Sequence, residues 1–192
     1  MQDLATQSWV IPLAIASLII LALVIGWVYS RNRRTERLKN RFGSEYQHTV
    51  SEFGSRQKAE SDLDRRERHL KELRIRPLTA AERQRFIEEW RLVQARFVDD
   101  PKLAVLEADR LVTEVLKLRG YPIDNFDERI DDVSAAYPHV VSNYREACAI
   151  VSQMDRGDAS TENLRRAIVL YRNLADELFN EDIGYEEFRR AS

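Results

Sequence analysis

The chain has 192 residues, of which 44% are hydrophobic and 32% are charged. This composition is too apolar for a disordered chain and too charged for a polytopic membrane protein. The low content of 6 Gly and 5 Pro argues against collagen-like and turn-rich all-β folds, and favours helices. The single cysteine, Cys148, excludes a disulfide framework and a cysteine-ligated zinc or iron–sulfur site.

The net charge of −2 conceals two regions of opposite sign. Residues 31–76 carry 14 Lys and Arg against 8 Asp and Glu, whereas residues 77–192 carry 16 against 23. An acidic C-terminal region has the wrong sign for neutralising phosphates, so no nucleic-acid partner is expected.

Residues 9–29 form an uncharged, apolar stretch that predicts a transmembrane helix. At a rise of 1.5 Å per residue the stretch is about 31 Å long, which matches the hydrocarbon core of a bilayer. Trp9, Trp27 and Tyr29 stand at its ends, where amphipathic aromatic rings settle at the membrane interface. No Lys or Arg precedes the stretch, and it is longer than the apolar part of a cleaved signal peptide. We therefore expect one uncleaved span, with residues 1–8 as an extracytoplasmic stub.

Basic residues follow the span directly: Arg31, Arg33, Arg34, Arg37, Lys39 and Arg41. The positive-inside rule then places residues 31–192 in the cytoplasm, anchored in the cytoplasmic (inner) membrane with the N-terminus outside. The bilayer is thus the first expected partner. These cations either only fix the topology or also contact anionic lipid headgroups.

Residues 30–76 are predicted to form a basic juxtamembrane helical segment with breaks. An apolar stripe recurs every three or four residues, at Leu38, Phe42, Tyr46, Val50 and Phe53. The stripe can pair with a second copy as a coiled coil, lie on the membrane surface, or fold back on the distal domain. Residues 56–74 alternate in charge sign, which is typical of a solvated helix face.

Residues 77–180 are predicted to form an acidic α-helical bundle of about four helices and one short helix, followed by a flexible tail, 181–192. Thr79 and Glu82 have the spacing of a capping box. Asp100 and Pro101 indicate the start of the next helix, whose apolar stripe begins at Leu103 and Leu106, and Gly120 indicates its end.

The second half of this region contains signals for three more helices. A short acidic helix is expected within residues 123–137, and the next helix is expected to start at Pro138. Ser160 or Thr161 is expected to cap the last long helix. The chain is therefore predicted to be all-α throughout.

No catalytic or metal-binding pattern stands out. Phosphate-binding glycine loops and the nucleophile-elbow motif do not occur, and the three histidines lie far apart. Cys148 falls on an apolar helix face and is interpreted as an inert core thiol. Carboxylates near the loops, such as Asp99 and Asp100, act either as helix caps or, as a remote alternative, as ligands of a metal-dependent enzyme. We expect no enzyme activity, cofactor or metal.

Four residues are candidates for a polar surface groove that binds a peptide: Trp90, Arg119, Tyr121 and Tyr137. The alternative is a purely architectural role, in which these side chains shape helix ends and packing.

The chain after the span also resembles a known group of proteins. The resemblance covers about residues 38–178 and is carried by strings such as RFGSEY (41–46), QARFVDDP (94–101), RGYPIDNF (119–126), YPHVVSNYR (137–145) and STENLRRAIVLYRNL (160–174). They are similar to a family of bacterial, membrane-anchored helical proteins found in actinobacteria and other soil bacteria, often labelled hypothetical or secreted proteins. The resemblance implies a bacterial source and a helical domain, but no activity, because none is assigned to that family.

These features predict a single-pass membrane protein whose cytoplasmic helical domain is a protein-interaction or tethering module with a cytoplasmic or membrane protein as partner. The alternative is a membrane scaffold that self-assembles into homo-oligomers through the stripe from Leu38 to Phe53.

Overall fold

The structure is a computed structural model that describes residues 10–180. The predicted stub 1–8, Trp9 and the predicted tail 181–192 lie outside the described residues. The described part is helical and contains no strand, which confirms the all-α prediction. Its helices are α1 (Val10–Phe42), α2 (Ser44–Phe53), α3 (Arg56–Glu72), α4 (Ala80–Arg96), α5 (Pro101–Arg119), α6 (Phe126–Ala136), α7 (Val141–Asp155) and α8 (Thr161–Asn180).

The chain divides into two compact units between Arg41 and Phe42. In the first unit, α1 is long and apolar enough to cross a membrane, and none of its most apolar window is buried. Its large apolar side chains from Leu13 to Tyr29 are 44% to 67% exposed. An exposed apolar helix of this length is a candidate for a membrane span.

The helix boundaries in the second unit follow local capping interactions that the sequence predicts. Thr79 Oγ1 accepts a hydrogen bond from the Glu82 N–H, and Glu82 accepts one from the Thr79 N–H, which confirms the capping box. The Asp100 carboxylate accepts from the Leu103 N–H at 3.1 Å, with Pro101 in the first turn. Gly120 ends α5 with a φ of 100°, in the left-handed region that favours glycine.

Local hydrogen bonds also set the first residues of the last two helices. Helix α7 begins at Val141, not at Pro138, because the Tyr137 carbonyl accepts the N–H groups of both Val140 and Val141 at 3.1 Å and forms a turn before the helix. Ser160 caps α8 by accepting the Asn163 N–H at 3.2 Å, so the first of the two predicted caps is the one used.

The second unit contains more than the predicted bundle. Helix α2 packs on α3, α3 packs on α6, α4 packs on α5, and both α5 and α7 pack on α8. The segment from Phe42 to residue 76 therefore folds back onto the bundle, which is one of the three alternatives open for the stripe. Within the stripe, Phe42 and Tyr46 are buried, whereas Phe53 is 39% exposed.

The interpretation of residues 56–74 as a solvated helix face is wrong for one side of α3. Ala59, Leu63, Arg66 and Leu70 are all buried. These residues recur every three or four positions and make one continuous strip along the helix. Charged residues stand between these positions, and one member of the strip is itself an arginine. The strip is therefore difficult to recognise in the sequence.

Candidate functional site

The residues predicted to lie at the membrane interface, apart from Trp9, are found at the C-terminal end of the apolar part of α1. Trp27 and Tyr29 are 61% and 58% exposed, and Arg31, Arg33, Arg34 and Arg37 are exposed as well. The guanidinium carbon of Arg31 lies 5.4 Å from the centroid of the Trp27 ring, and that of Arg33 lies 4.6 Å from the Tyr29 centroid. Both are cation–π contacts between residues four apart on one helix.

The four residues expected to line a surface groove are buried, so that prediction is wrong. Trp90, Tyr121, Tyr137 and Arg119 are at most 6% exposed. Arg119 Nη1 donates to the Tyr137 hydroxyl at 2.8 Å, and the rings of Tyr121 and Tyr137 are 6.5 Å apart. These residues form packing contacts inside the unit and offer no open surface to a peptide.

Arg119 is buried because its guanidinium group donates hydrogen bonds to backbone carbonyls from distant parts of the chain. Its Nε donates to the Arg76 carbonyl at 3.3 Å, and its Nη1 also reaches the Leu178 carbonyl at 3.4 Å. A buried guanidinium is stable only when its donors are used in this way. Arg119 thus joins the end of α5 to the segment before α4 and to the end of α8.

An open groove instead lies between α4 and α5, with a volume of about 390 Å³. Its lining comprises Arg85, Glu89, Leu92, Val93 and Arg96 from α4, and Glu107, Arg110, Leu111 and Glu114 from α5. Val93 and Leu111 are buried, whereas Leu92 is 66% exposed. We call this the α4–α5 groove.

Its charged rims pair with each other. Arg85 contacts Glu114 at 3.0 Å, and Arg96 forms an ion pair with Glu107. Most of the rim charges are thus matched, and the exposed Leu92 lies among them. The sequence indicates the α4 side of this groove, because residues 85, 89, 92 and 96 are spaced 4, 3 and 4 and therefore share one helix face.

Apolar side chains continue beside this groove. Leu103 and Leu106 on α5 are 42% and 44% exposed, and Val98 in the preceding turn is 83% exposed. The predicted apolar stripe of α5, which begins at these two leucines, is therefore exposed to solvent at its N-terminal end. Such exposed apolar side chains, rimmed by charge, are typical of protein-interaction surfaces.

A buried ionic network joins the fold-back helices to the bundle. Glu45 on α2 is 2% exposed and accepts two hydrogen bonds from Arg145 on α7, at 2.7 and 2.5 Å. Arg66 on α3 contacts Glu45 at 3.3 Å, Asp62 at 2.6 Å and Asp131 on α6 at 3.1 Å. Four helices thus contribute charges to one network.

Beside this network lies a carboxylate in an unfavourable environment. Asp132 on α6 is 1% exposed, and neither of its oxygens makes a hydrogen bond to the described residues. His69 Nε2 lies 3.6 Å both from Asp132 and from the more exposed Glu128. Burial raises the pKa of Asp132 from its ordinary value of 3.8 to about 6, against the opposing effect of His69.

A second polar cluster lies in the core between α5, α7 and α8. The Tyr171 hydroxyl donates to Asp109 at 2.7 Å and lies 3.7 Å from the Cys148 sulfur. Tyr144 contacts Tyr171 edge-to-face, with the ring centroids 6.3 Å apart. Burial raises the pKa of the Cys148 thiol to about 11, so the sulfur stays protonated and is a poor nucleophile.

The remaining candidates for chemistry are scattered. Within residues 10–180, no group of three or more His, Cys, Asp or Glu side chains is arranged to hold a metal ion. His139 contacts Glu177 at 3.1 Å and His48 contacts Glu52 at 3.8 Å, both on the surface. These pairs have the geometry of ordinary surface contacts.

Comparison of the chain with protein-family models, with curated proteins and with solved structures found no match.

Proposed function

We propose that this protein is a single-pass membrane anchor whose cytoplasmic helical unit holds a partner protein at the inner leaflet. The observation that carries the proposal is the exposed apolar surface of α1, followed on the same helix by exposed arginines. Tethering raises the effective concentration of anything that the unit binds near the membrane.

The α4–α5 groove is the surface best suited to the partner. It combines a buried floor, the exposed Leu92 and paired charges along both rims, and it borders Leu103 and Leu106. An amphipathic helix of a partner protein would bury its apolar face against these leucines and match the rim charges with its polar face.

The alternative, self-assembly through the stripe from Leu38 to Phe53, has less surface available. Phe42 and Tyr46 are already buried in the folded chain, and only Phe53 of the large stripe residues is substantially exposed. A second copy would have to displace these intramolecular contacts before pairing. We therefore rank homo-oligomer formation second.

Membrane insertion and topology are tested on the full chain in cells. Alkaline carbonate is expected to leave the protein in the membrane fraction, and externally added protease is expected to leave residues 31–192 intact in right-side-out vesicles. Extraction by carbonate, or digestion of the C-terminal unit from outside, contradicts the proposal.

Partner docking is tested by cross-linking in intact cells, followed by mass spectrometry of proteins captured with the tagged full-length chain. We expect one dominant partner, and we expect Leu92→Glu combined with Leu106→Glu to abolish its capture. Val169→Glu is the matched control, since Val169 is a 50% exposed apolar residue on α8, outside the groove. Capture of only the protein itself would favour the scaffold instead.

A further inference from the structure

Two arginines at the end of the apolar part of α1 each lie over an aromatic ring one turn earlier. Arg31 contacts the Trp27 ring and Arg33 contacts the Tyr29 ring, at 5.4 and 4.6 Å from their centroids. Side chains on an α-helix lean toward its N-terminus. Both guanidinium groups therefore extend back along the helix, toward the apolar stretch.

This direction sets the depth of the two cations in a membrane. Trp and Tyr rings settle at the level of the lipid headgroups, so a guanidinium held against such a ring lies at that level too. All four side chains are exposed along the helix. A guanidinium group that is partly removed from water is best compensated by a phosphate, which it binds through two parallel N–H groups.

The two pairs lie on different sides of α1. Residues 31 and 33 are two positions apart, which corresponds to a rotation of about 200° around the helix axis. We propose that Trp27–Arg31 and Tyr29–Arg33 form two separate sites, each of which binds the phosphate of an anionic glycerophospholipid. This inference rests on the proposed membrane anchor and adds the chemistry of the lipid that it selects.

The test is native mass spectrometry of the full-length protein in detergent micelles, titrated separately with phosphatidylglycerol and with phosphatidylcholine. We expect two phosphatidylglycerol molecules to bind more tightly than any phosphatidylcholine. Arg31→Gln with Arg33→Gln is expected to weaken each site roughly fivefold, the effect of one basic residue near the surface.

Two further variants separate a built site from general charge attraction. Arg31→Lys with Arg33→Lys keeps the charge but loses the planar, bidentate group, so we expect an intermediate loss of affinity. Arg165→Gln with Arg172→Gln removes two exposed arginines of α8 and is expected to change nothing. Wild-type affinity in the Lys variant would show that charge alone attracts the lipid, and wild-type affinity in the Gln variant would show that the two arginines do not bind it. Either result overturns the proposal.

The source of the phosphate and the anchor itself are checked in parallel. Displacement of the lipid by inorganic phosphate alone would identify free phosphate as the ligand and overturn the lipid assignment. A protein that resists carbonate extraction but has no lipid preference contradicts only this inference. If carbonate extracts the protein from the membrane, both the proposed membrane anchor and the proposed lipid sites are contradicted.

Discussion

At the scale of single residues, Tyr144 and Tyr171 show how similar side chains acquire different roles. Both are fully buried and touch each other across α7 and α8. Tyr171 donates to the Asp109 carboxylate, whereas the Tyr144 hydroxyl makes no hydrogen bond to a described residue. The acceptor of the Tyr171 hydroxyl lies 62 residues earlier in the chain, so no local sequence pattern indicates this bond.

Tyr171→Phe should therefore be costly and Tyr144→Phe should not. Loss of a hydrogen bond to a charged acceptor is expected to lower the free energy of unfolding by about 1.5–3 kcal/mol. Removing the unpaired Tyr144 hydroxyl is expected to leave it unchanged or slightly higher. Urea unfolding of the full-length protein, followed by circular dichroism, measures both, and equal losses would contradict the hydrogen-bond assignment.

The environment of Asp132 should make the stability of the protein depend on pH in an unusual way. Because its pKa is raised to about 6 in the folded protein, the folded state keeps a proton between pH 4 and 6 that the unfolded state has released. Stability should therefore fall as the pH rises through this range. Asp132→Asn removes the buried charge, and its gain in stability at pH 7 is expected to be on the order of 2 kcal/mol, disappearing below pH 4.

The neighbouring Asp131 provides the control for this experiment. It forms ion pairs with Arg65 at 2.8 Å and with Arg66 at 3.1 Å, so its charge is matched. Asp131→Asn is expected to destabilise the protein at pH 7, the opposite sign from Asp132→Asn. Unfolding midpoints of both variants from pH 4 to 8 make the comparison, and stabilisation by both substitutions would argue against the environment assigned to Asp132.

At the scale of helices, the buried charges explain how α2 and α3 are held on the bundle. Glu45 on α2 is bonded by Arg145 on α7 and Arg66 on α3, and Arg66 also donates to Ser134 on α6 at 3.0 Å. Buried charges of this kind require matched partners, so they specify which helices meet. Of these residues, only Arg66 belongs to the segment 56–74 that was interpreted as a solvated face.

Glu45→Gln should loosen this attachment strongly. The substitution removes the carboxylate that the buried Arg66 shares with the partly exposed Arg145. Because Arg66 keeps its ion pairs with Asp62 and Asp131, the free energy of unfolding is expected to fall by about 1.5–3 kcal/mol, the worth of a hydrogen bond to a charged group. Reaction of the buried Cys148 with a thiol reagent at increasing urea concentrations reports the opening of the second unit. Glu162→Gln, which breaks an exposed pair with Arg165, is the control and should not shift the midpoint measurably.

At the scale of the whole molecule, the limits of the folded unit differ from those of the predicted bundle. The compact unit begins at Phe42, because α3 packs against α6. The sequence predicted a break at residues 76–77, where a residue that precedes a proline disfavours helix. Helix α3 ends before this step, at Glu72, and the folded unit continues across it.

A chain that starts at Phe42 should therefore unfold at a higher urea concentration than one that starts at Pro77. The shorter chain exposes the face of α6 that carries Asp131, Asp132 and Ser134, and it loses the network around Glu45. Urea unfolding of the two truncated chains, followed by circular dichroism, measures the difference. Equal midpoints would mean that α2 and α3 add no stability to the bundle.

The sequence by itself determined the helical class, the apolar helix and most helix boundaries. These features depend on interactions within four or five residues, such as Thr79 with Glu82, or the left-handed Gly120. Tertiary structure alone decided that Arg119 and Tyr137 are buried, that an arginine belongs to the buried strip of α3, and that the open groove lies between α4 and α5. Burial depends on which distant elements meet, and Arg119 meets partners 18, 43 and 59 residues away.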